Sequence, residues 1–389
     1  MHRKLILIFS LVAGLTSVVN GASASSALFL LIPPSARANG LGGASITLVD
    51  EESSISNPGA LGLFHLNHFF SFSAPNNTAW LPKLADDINL KAFSFSAGLP
   101  ATLSPANTAS PFRLSFAGAF SKVSLDFGRF PRTDTFGNIV GFDEPVDEVE
   151  SFSFGIGVEY FLRLGVGLTY QDVTSTLTNI GAGQQAGMEE AHANAGVIGV
   201  ILEAPFSSIL SAGRGSLARG ERTPWDLTLS VARVTTIFSD DLIFPGAMQD
   251  DRMAEVKRSG HSLYAALNGD HVSRLSLRLV YENDSDGADS SAGVTRRSGI
   301  EIGLYDIAYL RSGVIDDVRI SRQKVKTYGF GLRLRGLLKL VLSGPPASES
   351  FAGSFLARRL DVRLDYSRIK DAPESALGNT SFFKLSVSL

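Results

Sequence analysis

Arg359, Asp361, Arg363 and Asp365 alternate with Leu360, Val362, Leu364 and Tyr366, and Arg333 and Arg335 alternate with Phe330, Leu332 and Leu334. On extended backbone, alternate side chains share a face. Each segment therefore carries one charged face and one apolar face. Guanidinium and carboxylate groups at this spacing can line a polar passage, hold a plug, or simply stabilise a wall by satisfying one another. Catalytic chemistry finds little support. Of the six histidines, only His65 and His68 fall close together, and an i, i+3 pair on a strand points to opposite faces, so a shared metal would require a turn there. No G-x-S-x-G motif occurs, and the absence of cysteine excludes disulfides, thiolate metal sites and a cysteine nucleophile. No enzyme activity, metal or cofactor is expected.

Two further segments carry weaker signals. Glu282-Asn283-Asp284-Ser285-Asp286-Gly287-Ala288-Asp289 has calcium-like carboxylate spacing but lacks the distal glutamate of an EF-hand, and reads as a solvated outer loop. Gly213 to Arg222 is glycine-rich without a Gly-Lys-Ser/Thr ending, and reads as a flexible turn able to touch lipid phosphate.

The elements that position the charged faces follow a period of two. Alternation places fourteen strands near 66–75, 89–99, 111–131, 149–160, 162–176, 189–205, 225–238, 260–269, 272–284, 298–305, 307–315, 324–335, 355–368 and 378–389. In the last of these, Phe383, Leu385, Val387 and Leu389 share a face opposite Lys384, Ser386 and Ser388. Lipid cannot satisfy an open sheet edge, so a membrane sheet must pair its last strand with its first. An arginine facing lipid at mid-depth costs about 2–4 kcal/mol, which turns the charged faces toward a lumen. Three very tight connections, at Phe161, Gly269-Asp270 and Tyr305-Asp306, all follow even-numbered strands, the short periplasmic side of such a barrel. The long segments 206–224 and 336–354 depart from that rule. An exported β-sandwich is the competing fold, and it would expose Arg359 to Asp365 to water.

His2, Arg3 and Lys4 precede the apolar run Leu5–Val19 and the small residues Ala22-Ser23-Ala24, the pattern of a cleavable secretory signal over residues 1–24. Its loss takes the formal charge from −3 to −5. A mildly acidic chain argues against nucleic acid as a partner. The 38 glycines and 26 phenylalanines suit tight turns and lipid-facing strands.

Between the signal and the first strand lie Pro34-Ser35-Ala36-Arg37, Gly40-Leu41-Gly42, the acidic run Asp50-Glu51-Glu52, and Asn57-Pro58-Gly59. Pro58 fixes its own φ and biases Asn57 toward an extended conformation, while the Asn57 side chain suits a turn. Over residues 26–65 the chain resembles the PorV/PorQ proteins of the FadL-type outer-membrane superfamily. It departs from them at Gly59, where alanine is usual, and at Leu389, where many outer-membrane barrels end in an aromatic residue. The resemblance implies an all-β, 14-stranded antiparallel transmembrane barrel over residues 66–389, with residues 25–65 folded into it as a hatch. Pro34, Arg37, Gly40, Gly42, Asn57 and Pro58 would mark the hatch and its junction with the wall, and Arg333, Arg335, Arg359, Asp361, Arg363 and Asp365 the lumen charge ladder. It also implies a Gram-negative outer-membrane location, with membrane lipid and the barrel assembly machinery as partners. Three functions are compatible with it: a conduit for hydrophobic molecules, an accessory of type IX protein secretion that binds exported proteins, or a structural barrel without transport.

Overall fold

The computed structural model describes residues 30, 32–80, 82, 87–103, 112–134, 136–176, 190–207, 209, 224–243, 251–253, 255–269, 273–285, 294–316, 324–342, 360–370 and 378–389. The signal-like segment, Arg359 and Gly213 to Arg222 lie outside them.

Alternating sequence becomes alternating burial. The strands are β1 (Phe70–Ala79), β2 (Asn89–Thr102), β3 (Arg113–Asp126), β4 (Phe130–Thr133), β5 (Ile139–Asp143) and β6 (Val146–Glu159). They continue as β7 (Arg163–Ser175), β8 (Ala191–Pro205), β9 (Trp225–Ser239), β10 (Asp241–Leu242), β11 (Asp251–Arg252) and β12 (Lys257–Asn268). The last six are β13 (Ser273–Ser285), β14 (Val294–Leu304), β15 (Ala308–Asp316), β16 (Val325–Arg333), β17 (Asp361–Ile369) and β18 (Ser381–Ser388). Fourteen of them form one closed antiparallel barrel in the order β1-β18-β17-β16-β15-β14-β13-β12-β9-β8-β7-β6-β3-β2. The β4–β5 and β10–β11 pairs are separate two-stranded sheets within connections, which the sequence reading did not separate from loop.

Closure runs through the chain's last described residues. Ser71, Phe72 and Ser73 pair with Ser388, Val387 and Ser386. The Phe69 amide donates to the Leu389 carbonyl at 2.6 Å, and the Leu389 amide to the Phe70 carbonyl at 2.9 Å. A β-sandwich is excluded by this ladder. The outward face is the apolar one: Phe95, Phe116, Phe152, Leu168, Leu279, Ile302, Phe330 and Leu385 are all exposed, while the alternating Ser94, Ser115, Ser153, Thr169, Glu301 and Lys384 are buried. This inverts the usual water-soluble pattern and is the surface that a bilayer solvates.

Four helices complete the described structure: α1 (Ala36–Gly40), α2 (Ser53–Ser56), α3 (Pro58–Phe64) and α4 (Leu334–Leu342). The last corrects the expected strand 324–335. β16 ends at Arg333, so Leu334 and Arg335 belong to a helix and Arg335 is not a rung of the wall. Glycine permits the change, because Gly336 lies where a Cβ would collide with the backbone of Asp306. The tight β14–β15 turn has Tyr305 and Asp306 at φ of 54° and 55°, a left-handed pair matched to the twist of a hairpin.

The outward face makes a direct prediction. Replacing Leu279 with arginine places a charge on the lipid side and should destabilise the folded barrel by about 2–4 kcal/mol if that site lies at mid-depth. Urea unfolding in lipid vesicles measures it, with Ser276→Arg on the lumen side as the contrast.

Candidate functional site

The lumen is occupied by the protein's own N-terminal residues. Pro34 through Leu48 are buried, as are Asp50 to Ser54, Asn57 to Leu66 and His68. Two kinds of contact hold them: close backbone approach at glycines, and ion pairs at the charged faces.

Asn57 and Pro58 start α3. Asn57 is extended at φ −156°, and its Oδ1 accepts from the Gly59 amide at 2.9 Å, a cap that leaves Pro58 at the first helical position, where its missing N–H costs nothing. The Asn57 Nδ2 also donates to the Ile46 carbonyl at 2.8 Å, tying the helix start to the preceding turn. The helix then lies on a wall of glycines. A Cβ on Gly59 would come within 2.7 Å of the Gly199 carbonyl and 2.9 Å of the Gly165 carbonyl, and one on Gly62 would strike the β6 backbone at Ile156 and Gly157. Alanine at position 59 would not fit this wall. Ser115 Oγ donates to the Gly62 carbonyl at 2.5 Å.

The Gly40-Leu41-Gly42 turn repeats the arrangement on the opposite side. Gly42 has φ +73°, and a Cβ there would meet the Val314 carbonyl at 2.6 Å and the Ser298 carbonyl at 2.7 Å. Thr327 Oγ1 accepts from the Gly42 amide at 3.0 Å and donates to the Gly40 carbonyl at 3.2 Å.

Arg37 is the electrostatic centre. Its Nε and Nη2 donate to the two oxygens of Glu301 at 3.0 and 2.7 Å, and its Nη1 to Asp50 at 3.1 Å. Glu301 also accepts from Arg311 Nε at 2.7 Å, and Arg311 Nη1 reaches Asp365 at 2.5 Å. A continuous chain Asp50–Arg37–Glu301–Arg311–Asp365 thus joins the segment to three wall strands. Arg363 pairs with Glu51 at 3.1 Å, and Lys384 with Glu52 at 3.4 Å. Arg333 pairs with Asp361 through Nε at 2.7 Å and with Asp306 through Nη1 at 3.2 Å.

Of the ladder residues named from sequence, Asp361, Arg363 and Asp365 are buried in the lumen and Arg333 is partly buried there; Arg335 stands on α4 at the mouth. Glu301, Arg311 and Arg297 were not singled out. Their signal was legible: each occupies the non-lipid face of an alternating strand. Glu282 and Asp284 require a correction, because they lie on β13 and not in a solvated loop. Glu282 accepts from the Ser45 and Ile46 amides at 2.7 and 3.1 Å, and Arg297 donates to Glu282 and Asp284 at 3.1 and 3.0 Å.

His65 and His68 sit in the turn after α3. His65 engages the His68 carbonyl at 2.7 Å and Ser96 Oγ at 2.8 Å, and His68 stacks on Phe64 with ring centroids 4.3 Å apart. Burial pushes both imidazoles down to about 4, so both are neutral at pH 7.

Two features bear on ligand passage. First, a compartment of buried, packed apolar side chains lies inside the barrel at the end away from Phe70 and Leu389. It includes Trp80, Leu90, Val123, Leu125, Val173 and Phe382, with Ile32 and Ile55 of the N-terminal segment packed against it. Second, the wall is interrupted beside that compartment. Among the described residues, β1 and β18 pair over Ser71–Ser73 and Ser386–Ser388, extended by the Phe69 and Phe70 bonds to Leu389 but not toward Ala79, and β1 shifts register against β2 between Ser73 and Asn76. Pro75, which has no N–H to offer a ladder, lies in the shift. Lys384 reaches across to donate to the Ala92 carbonyl of β2 at 2.8 Å, and Trp80 meets Phe382 edge-on at 6.0 Å.

These features define a class: a closed 14-stranded antiparallel barrel with an apolar exterior and its own N-terminal residues inside. No family profile matches the chain, and no curated protein matches it. Solved structures do. The toluene transporter TodX of Pseudomonas putida is 11% identical, with 95% of this chain and 97% of that one covered and a TM-score of 0.40. A FadL homologue of Pseudomonas aeruginosa is 13% identical, covering 95% and 98%, at a TM-score of 0.37. The translocator domain of the autotransporter NalP from Neisseria meningitidis is 9% identical, covering 83% and 88%, at 0.41. The structural neighbours thus include FadL-type outer-membrane barrels, described as transporters and channels and not as enzymes. They superimpose loosely, and the architecture stands on the chain's own hydrogen-bonded ladder.

Two substitutions test how the segment is seated. Glu301→Gln removes the shared carboxylate of two buried arginines, and breaking a buried pair in this way costs about 3–5 kcal/mol. Its urea midpoint should fall accordingly. Gly62→Ala introduces overpacking worth about 1–3 kcal/mol, and should make residues 32–68 more protease-sensitive while the barrel stays heat-modifiable.

Proposed function

We propose that this protein is an outer-membrane barrel that binds hydrophobic molecules in its apolar compartment and passes them through the interrupted β1–β18 wall, with the N-terminal segment acting as the hatch. The observation that carries the reading is the juxtaposition of compartment and interruption at Trp80 and Phe382. A segment held by buried ion pairs and glycine contacts is costly to expel, which favours a sideways route over one along the barrel axis. Lys384 bridges the break and also pairs with Glu52, so movement of the segment and loosening of the wall are coupled through one side chain. The reading places the termini in the periplasm, follows export by the signal-like residues 1–24, and has membrane lipid and the assembly machinery as partners.

The test uses tryptophan fluorescence. Trp80 lies in the compartment and Trp225 is exposed. A brominated long-chain fatty acid and a brominated monoaromatic should quench saturably, and the saturable part should vanish in Trp80→Phe and weaken sharply in Phe382→Arg. Quenching that is linear with lipid partitioning and unchanged in Trp80→Phe would sink the conduit reading.

A second reading rests on the motifs Pro34 to Arg37, Gly40 to Gly42 and Asn57-Pro58, which resemble PorV/PorQ proteins. On that reading the plugged barrel is a docking component of type IX secretion that binds exported protein segments without conducting a solute. Absence of saturable quenching together with stable capture of a type IX cargo signal domain would favour it, and absence of both would leave a structural barrel.

A further inference from the structure

A vestibule of about 560 Å³ opens at the end of the barrel that carries Phe70 and Leu389. Arg113, Arg333 and Arg335 line one part of it, with His68, and Leu66 and Phe69 line another. No carboxylate is among its described lining residues. Glu159 pairs with Arg113 at 2.7 Å, while Asp361 and Asp306 pair with Arg333, so these acidic partners steady the guanidiniums from outside the lining. His68 is 8% exposed, and its Nε2 makes no hydrogen bond with the protein. With Nδ1 donating to the Phe64 carbonyl, the neutral His68 ring keeps Nε2 as an acceptor, so the vestibule is amphipathic and its cationic donors are the guanidiniums.

Helix α4 stands beside it. Arg335 turns into the vestibule, and Leu334 and Leu337, three residues apart and so on one helix face, are exposed. They extend the lipid-facing row of Leu304, Tyr305 and Leu332, all exposed on the neighbouring wall. The helix thus presents an apolar face continuous with the bilayer surface and a cationic residue to a cavity at the membrane edge. A surface cation near an anionic leaflet contributes attraction in addition to the apolar contact.

We propose that the vestibule and α4 form a binding site for one anionic phospholipid of the adjoining leaflet, whose phosphate meets the vestibule's arginines and whose acyl chains lie along Leu332, Leu334 and Leu337. The site is separate from the apolar compartment and faces the opposite end of the lumen. It requires the barrel to be membrane-embedded but not to transport anything.

Native mass spectrometry of the detergent-purified full chain, titrated with phosphatidylglycerol or phosphatidylcholine, tests the site. Wild type should prefer phosphatidylglycerol, and Arg335→Gln should reduce its binding about fivefold, as expected for one arginine near a lipid surface. Leu337→Asn should weaken both lipids. Inorganic phosphate at millimolar concentration should compete poorly. Equal binding of the two lipids by wild type would overturn the proposal without any variant. Full displacement of phosphatidylglycerol by inorganic phosphate, with Leu337→Asn unaffected, would overturn it in favour of a free-oxyanion site. Saturable quenching at Trp80 is read separately, so failure of the hydrophobic-ligand reading leaves this result distinguishable.

Discussion

The hydrogen bonds that join β1 to β18 impose the constraint from which the rest of the structure follows. An apolar exterior is stable only against lipid, and lipid leaves no backbone N–H or carbonyl of an open edge satisfied. Phe69, Phe70 and Leu389 therefore close a ladder that begins some three hundred residues earlier in the chain. Once the sheet closes with its phenylalanines and leucines outward, period-two alternation sends the intervening Ser94, Ser115, Ser153, Thr169, Glu301 and Lys384 inward. Along this stretch the lumen is polar because the exterior is apolar, and the apolar cluster of Trp80, Val123, Val173 and Phe382 lies beyond it.

A polar lumen of this width must then be filled or hydrated, and the chain fills much of it with its own N-terminal segment. The two sides of the lumen receive that segment differently. On β6, β7 and β8, Gly155, Gly157, Gly165, Gly167 and Gly199 let helix backbone meet strand backbone beneath Pro58, Gly59 and Gly62 of α3, while Val197 and Ile201 pack against its Ala60 and Leu63. From β13 to β18, Arg311, Arg363 and Lys384, with Glu282 and Glu301, supply charges that Arg37, Glu51, Glu52 and backbone amides complete. Buried ion pairs of this kind add little net stability over apolar packing, but the loss of one partner is expensive. Their consequence is specificity of position: the segment has one seat in which every charge finds its complement.

That order is interrupted where β1 leaves β18. There the ladder is replaced by a lysine reaching to a carbonyl and by an edge-on aromatic pair, contacts far easier to separate than paired strands. The apolar compartment adjoins this weak seam at Trp80 and Phe382, and it also rests on the paired wall of β6 to β8 through Val149, Val173 and Ala193. On the proposed function, a molecule held in the compartment lies against this seam and against the segment that Lys384 links to it.

The sequence by itself determined the wall. Its alternating Phe and Leu positions gave all fourteen strands to within a few residues, because one face of each strand must match lipid along its whole length. The inward direction of Asp361, Arg363 and Asp365 followed from the cost of the alternative. Tertiary structure decided the rest. Nothing local to Glu301 says that it bridges Arg37 and Arg311, since those partners lie 264 and 10 residues away and meet only when the barrel closes around the segment. Arg335 looked like the next rung after Arg333 because alternation continues through Leu334, yet the strand yields to a helix at that point, where Gly336 packs against the neighbouring turn. Glu282 and Asp284 resembled a solvated acidic loop, since composition records charge but not the Arg258 and Arg297 of the neighbouring strands that neutralise it. Period two is a local property that sequence displays directly, whereas the pairing of inward charges depends on which strands curve to face one another.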